Sequence, residues 1–231
     1  MKVIVVYGTE HKGATYEMAQ EVLRSLGEVE VTEVFLPRDL PDYCIACFRC
    51  FTEEKGTCAH EQYTKPLREK LLAADVIILT SPVYAYHVSG QMKVFLDHFA
   101  NMWLVHRPEK AMFSKQGIVI AAASGPVFNK TLNEMKDSLD FWGVARTYKV
   151  GVALLEAKWD KVSPKIKEKI IRRIQRVTTK IKKNIGHSYP CFRVRKWFYL
   201  SRFMQKRMKL NPADASYWEK QGWTEKIRPW H

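Results

Sequence analysis

Lys2–Leu26, KVIVVYGTEHKGATYEMAQEVLRSL, governs how the rest of the chain reads. Lys2 to Tyr7 is an apolar run that stops at Gly8, the pattern of a central parallel strand buried on both faces. Residues 15–26 then set Met18, Ala19, Val22, Leu23 and Leu26 on one helical stripe, and Gly27 ends it before a second strand, 29–35. Strand, helix and strand in this order make a parallel βαβ unit. The intervening loop brings hydroxyls, small residues and free backbone N–H groups to a helix N-terminus, a setting suited to phosphate. Thr9, His11, Lys12, Gly13, Ala14 and Thr15 are its candidate ligands, and Glu10 is the one discordant charge. The loop is neither a P-loop nor a complete GxGxxG, and an ordinary polar turn would have a similar composition.

The same alternation continues outward. Helices are predicted over 64–74, with Pro66 in the first turn, over 89–103 and over 130–142, and strands over 75–80, 117–122 and 146–154. Five strands fit an α/β, doubly wound parallel sheet in the flavodoxin-like order, forming a domain over 1–157. From residue 158 to 231 no strand pattern appears. Ser163 and Pro164 open a long helix whose Ile166, Ile170, Ile174, Val177, Ile181 and Ile185 recur at helical spacing. A burial site on the core or on a twin subunit is expected for that stripe. A second piece, 193–210, groups Trp197, Leu200, Met204 and Met208, and Trp218, Trp223 and Trp230 follow.

The chain has 231 residues and a formal charge of +14, placed very unevenly: residues 158–231 hold 21 Lys and Arg against five Asp and Glu. This basic helical extension suggests an anionic partner, an acidic protein or an anionic membrane surface, ahead of nucleic acid, for which no recognition motif accompanies the charge. No apolar run reaches the roughly 18 residues that span a bilayer, and the strand begins at once, so the cytoplasm is the expected compartment. In a reducing compartment the five cysteines do not read as a disulfide framework. Cys44, Cys47, Cys50 and Cys58 form C-x2-C-x2-C-x7-C, a bunching that suits a 4Fe-4S cluster, a zinc ion or reversible disulfide chemistry. Cys191 stands apart and reads as a small buried residue.

Ligands of open parallel sheets bind beyond the carboxyl ends of the strands. The loop after the third strand, SPVYAYHVSG, offers Pro82, Val83, Tyr84, Ala85, Tyr86 and His87 as aromatic and backbone surface for a planar ligand. With the helix that follows, SPVYAYHVSGQMKVFLDHF resembles the flavin loop of the NADPH-dependent FMN reductase family, a likeness that covers about residues 1–155. The resemblance implies FMN with its phosphate at Thr9 to Thr15, its ring near Pro82 to Tyr86 and its outer edge near Ser124 and Gly125. The chain departs from the family pattern at Glu10 and His11, and its expected glycine-rich turn is reduced to Ser124-Gly125.

The cysteine spacing is similar to that of the iron-sulfur flavoproteins, a branch of the same superfamily, although relatives without a demonstrated cluster carry a similar run. Two functions are therefore expected. One is an FMN-dependent oxidoreductase moving electrons from NAD(P)H to a small acceptor such as a quinone or flavin. The other is an iron-sulfur flavoprotein acting as an electron carrier, docked through its basic tail. A homodimer or tetramer is the assembly the resemblance implies. No histidine is singled out as catalytic, because a flavin carries its own chemistry.

Overall fold

The computed structural model describes residues 1–53, 55–154 and 159–230. Five strands, β1 (Lys2–Tyr7), β2 (Glu30–Phe35), β3 (Val76–Pro82), β4 (Gln116–Ala123) and β5 (Arg146–Ala153), pair in parallel in the order β2-β1-β3-β4-β5. Alternate side chains face opposite layers. Ile4, Val6, Ile77, Leu79 and Val119 point to one core, while Val3, Val5, Ile78, Ile118 and Ile120 point to the other. Continuous apolar strands are what two-sided burial requires, so the strand sequence and the layered fold have one cause.

The helices are α1 (Ala14–Leu26), the short α2 (Arg49–Thr52), α3 (Glu61–Ala73), α4 (Gly90–His98), α5 (Asn129–Phe141), α6 (Pro164–Asn184), α7 (Phe192–Arg207) and α8 (Pro212–Lys220). On one face, Leu67 and Leu71 of α3, Met92 and Phe95 of α4 and Leu132 and Met135 of α5 pack on the sheet. On the other, α1 and α6 lie together: Ile170, Ile174 and Ile181 are buried, with Ile166, Val177 and Ile185 packed around them. The Ser25 and Thr178 hydroxyls bond at 2.7 Å, and the Gln116 side chain donates to the Ile181 carbonyl at 3.0 Å. The isoleucine stripe therefore packs on the core of its own chain. The expected domain boundary at 157/158 lies outside the described residues.

Several predicted bounds differ from the structure. α3 starts one turn earlier than the sequence suggests, so Pro66 lies inside it. The helix expected over 89–103 ends at His98 and continues as a 3-10 turn, Ala100–Met102. On α7 the buried stripe is Val194, Phe198, Ser201 and Gln205, whereas Leu200 and Met208 are exposed. Two polar residues turn the helix this way: Gln205 donates to the Val105 carbonyl at 2.6 Å, and Ser201 is 3% exposed. α8 escaped the sequence reading, although Asn211-Pro212 signals it: Asn211 caps the Ala213 N–H and Pro212 opens the helix. With α7 and the loop at Leu104 and Phe113, α8 closes a third core around Phe198, Trp218 and Trp223. Among the described residues no helix is long and apolar enough to cross a membrane.

Candidate functional site

The loops leaving β1 and β3 part company where the strand order reverses, and a recess of about 300 Å³ opens between them. Thr9, His11, Gly13, Ala14 and Thr15 form one side, Pro82, Val83 and Tyr84 the other, and Ser124 a third edge. Ala122, Ala123 and Leu154 complete it. These three residues were missed by sequence reasoning, although the run of alanines closing β4 was the available signal for a surface that something approaches closely.

The phosphate side is built from an uncapped helix end. Gly13 is the N-cap of α1, and no side chain satisfies the first N–H groups of that helix. Those donors and the dipole of α1 favour an anion. A Cβ on Gly13 would stand 3.0 Å from the exposed His11 ring, a contact that a small shift of that side chain would relieve. Gly8 solves a different problem. Its N–H donates to the Thr80 carbonyl at 2.8 Å, and a Cβ there would meet that oxygen at 2.7 Å. Behind the loop Ser89 Oγ donates to the Gly8 carbonyl at 2.6 Å and accepts from Met92 N, so one buried hydroxyl caps α4 and holds the first loop.

Not every predicted contact lines the recess. Lys12 is turned back over the rings of Tyr16 and Phe35, at 5.2 and 5.9 Å from their centroids. Ala85 and Tyr86 form the tip of a tight turn closed by paired backbone bonds between Tyr84 and His87. Both have left-handed backbones, φ 48° and 69°, at a cost of about 1–3 kcal/mol each. The exposed His87 is held by α5, with Glu134 Oε1 at 2.6 Å from Nδ1 and Lys130 Nζ at 2.9 Å from Nε2. Gly125 lies beside Ser124 without lining the recess.

A second recess, of about 310 Å³, shares no lining residue with the first. Cys44, Cys47, Cys50 and Cys58 all line it, along with His60, Asp97 and His98. Left-handed backbones at Ala46 and Phe48 (φ 51° and 59°) curl the loop around the thiols. Burial, then the charges of Cys58, Cys44 and Cys47, push the Cys50 thiol up to about 11. Several thiolates can coexist in such a place when a cation neutralises them, and the donor set therefore fits a metal centre. The ligating atoms of Cys58, His60 and His98 lie within 4.8 Å of one another. The His98 Nδ1 donates to the Val94 carbonyl at 2.9 Å, and its Nε2 faces His60 Nδ1 at 3.2 Å. Neither histidine was placed beside the cysteines by the sequence reading.

The cysteine loop is held from outside by Arg107. Its guanidinium donates to the carbonyls of Cys50 (2.6 Å), Phe51 (2.9 Å) and Glu53 (2.8 Å), while Nε pairs with Asp214 Oδ1 at 3.0 Å. The Asp214 Oδ2 lies 2.8 Å from His106 Nδ1, and Asn211 donates to the Phe51 carbonyl at 2.9 Å. Helix α8 thereby anchors the loop that carries the thiols.

Comparison with known proteins gives four matches of note. The family model for NADPH-dependent FMN reductase matches residues 1–156. An iron-sulfur flavoprotein of Archaeoglobus fulgidus is 29% identical over 160 residues, 67% of this chain and 70% of that protein. Another, from Methanosarcina thermophila, is 27% identical over 150 residues, 62% and 75% of the two chains. Among solved structures, an FMN-dependent NADH-azoreductase from Bacillus anthracis, in complex with FMN, has a TM-score of 0.56 at 12% identity and covers 78% of this chain and 99% of its own. That likeness is one of fold.

Proposed function

The chain belongs to the NADPH-dependent FMN reductase family, and from that premise we propose that this oxidoreductase holds FMN in the recess between the β1 and β3 loops and passes electrons from NAD(P)H to a small acceptor such as a quinone or flavin. The observation that carries the reading is the uncapped N-terminus of α1, with Gly13, Ala14 and Thr15 lining a recess at the topological switch point. Bound FMN would supply the hydride and electron chemistry. The chain's own work is placement. The α1 N–H groups and the Thr9 and Thr15 hydroxyls would hold the phosphate, Pro82, Val83 and Tyr84 would form the wall for the ring, and Ser124 would bond its edge. Titration with FMN tests this: tight binding with perturbed flavin bands is expected, and no binding by the folded protein would refute it.

The second recess supports an iron-sulfur reading of the same protein. Four cysteines from one loop line it, and the relatives named above are iron-sulfur flavoproteins. Cys44, Cys47, Cys50 and Cys58 would ligate a 4Fe-4S cluster, whose chemistry is one-electron storage. Protein purified without oxygen should carry iron and acid-labile sulfide in near-equal amounts together with flavin. Zinc in their place would assign the thiols to a redox-silent ion.

A further inference from the structure

We propose that the outer face of α7 is a docking surface for an anionic lipid bilayer. This inference stands independently of the flavin and cluster readings. α7 runs FRVRKWFYLSRFMQKR from Phe192 to Arg207, with six Arg or Lys and no acidic residue. Its inward side, Val194, Phe198, Ser201 and Gln205, is buried, with Val194 and Phe198 in the third core. The opposite side should therefore be polar, because a surface helix normally gives water its charged face. It instead exposes large apolar side chains as well: Phe192 is 74% exposed, Phe203 59%, Tyr199 46% and Leu200 43%.

At helical spacing these apolar side chains share their side of the cylinder with Lys196, Lys206 and Arg207. Two other cations of the helix are already occupied. Arg193 pairs with Asp137 and Asp140, and Arg202 donates to the Thr224 carbonyl. Lys196 and Arg207 form no ion pair among the described residues, and Lys206 shares only the exposed Glu225, at 3.3 Å. Arg228 adds to the face by lying over the Tyr199 ring, 5.3 Å from its centroid. Aromatic side chains projecting between cations suit an interface in which rings enter the headgroup boundary and Lys and Arg meet lipid phosphates.

Charge selects the occupant. A second copy docked through the same face would set like charges against each other, and nothing acidic on α7 would offset them. A neutral apolar partner would leave the basic side chains unsatisfied. An anionic surface answers both chemistries, and a bilayer accepts protruding rings without preformed pockets. The helix lies on the surface and does not cross it, consistent with the lack of a spanning helix among the described residues.

The test is flotation of the full-length chain with vesicles of phosphatidylcholine alone and with phosphatidylglycerol added. Association with the anionic vesicles only, weakened by salt, is expected. Lys196→Gln with Arg207→Gln should lower partitioning by roughly 25-fold, at roughly fivefold for each basic residue lost. Phe192→Ser with Phe203→Ser should weaken it further than salt alone does, while leaving the circular dichroism spectrum and FMN titration unchanged. Absence of binding to anionic vesicles at low salt overturns the proposal. Retention on polyglutamate with indifference to vesicles also overturns it, in favour of an acidic protein, and unchanged partitioning of the serine variant refutes the part assigned to the rings. Because FMN binding is read on the same samples, failure here is separable from failure of the flavin reading.

Discussion

Replacing Asp214 by Ala tests whether the basic extension holds the cysteine loop. Asp214 and Arg107 have side chains only 1% and 7% exposed, so their pair is shielded from the water and salt that screen surface ions. Removing one member of a buried pair costs about 3–5 kcal/mol, because the remaining charge stays desolvated. The carbonyls of Cys50, Phe51 and Glu53 still accept from the guanidinium, which places the loss near the lower bound, about 3 kcal/mol. For a chain of this size that corresponds to a fall in Tm of roughly 6–12 °C. Urea denaturation followed by tryptophan fluorescence and by circular dichroism would measure it. Faster alkylation of Cys50 in the folded variant should accompany the loss, since the pair tethers the loop containing that thiol. A destabilisation below about 1 kcal/mol would mean that the pair behaves like an exposed one, and the reasoning would fail. Unchanged thiol reactivity at the larger loss would separate α8's stability from any role in the loop.

Other expectations follow from single contacts. Thr15→Val removes a hydroxyl from the rim of the first recess and should weaken FMN binding about tenfold or more, as read by flavin fluorescence; an unchanged Kd would remove Thr15 from the phosphate site. Ser89→Ala should cost about 1–2 kcal/mol, because one buried hydroxyl serves both the α4 cap and the Gly8 carbonyl, and a change within error in denaturant midpoint would contradict this. In metal-free protein Cys50 should become a thiolate only near pH 11, later than an ordinary thiol, because burial and the neighbouring cysteines raise it. The unfolded chain loses that proton first, so stability should fall as pH rises from about 9 towards 11, with no change from this group below that range. Rapid iodoacetamide labelling of Cys50 at neutral pH would count against its burial.

The sheet was legible because its strands are buried on both sides, and two-sided burial writes itself as unbroken apolar runs such as Val3–Tyr7. The isoleucine stripe of α6 was equally plain, since helical spacing alone identifies the side that must be covered. α7 was misjudged because Ser201 and Gln205 are buried for the hydrogen bonds and close packing they permit, which apolar periodicity does not register. Both loops of the first recess were recognised from their composition and position. The outward turn of Lys12 and the tethering of His87 to Glu134 were not, because they depend on partners 4 to 47 residues away that only the fold brings close. The cysteines announced their own recess, whereas tertiary packing brought His98 to its wall and Arg107 to the outside of its loop.

Helix α4 begins behind the first loop, where Ser89 bonds Gly8, and ends at Asp97 and His98 on the wall of the cysteine recess. Over its nine residues, about 13 Å, the peptide dipoles add to a positive end behind the first loop and a negative end beside the thiols. Added negative charge is favoured at the first end and opposed at the second. One short helix thus sets opposite electrostatic preferences at its two ends, against negative charge beside the cysteines and for it behind the first loop.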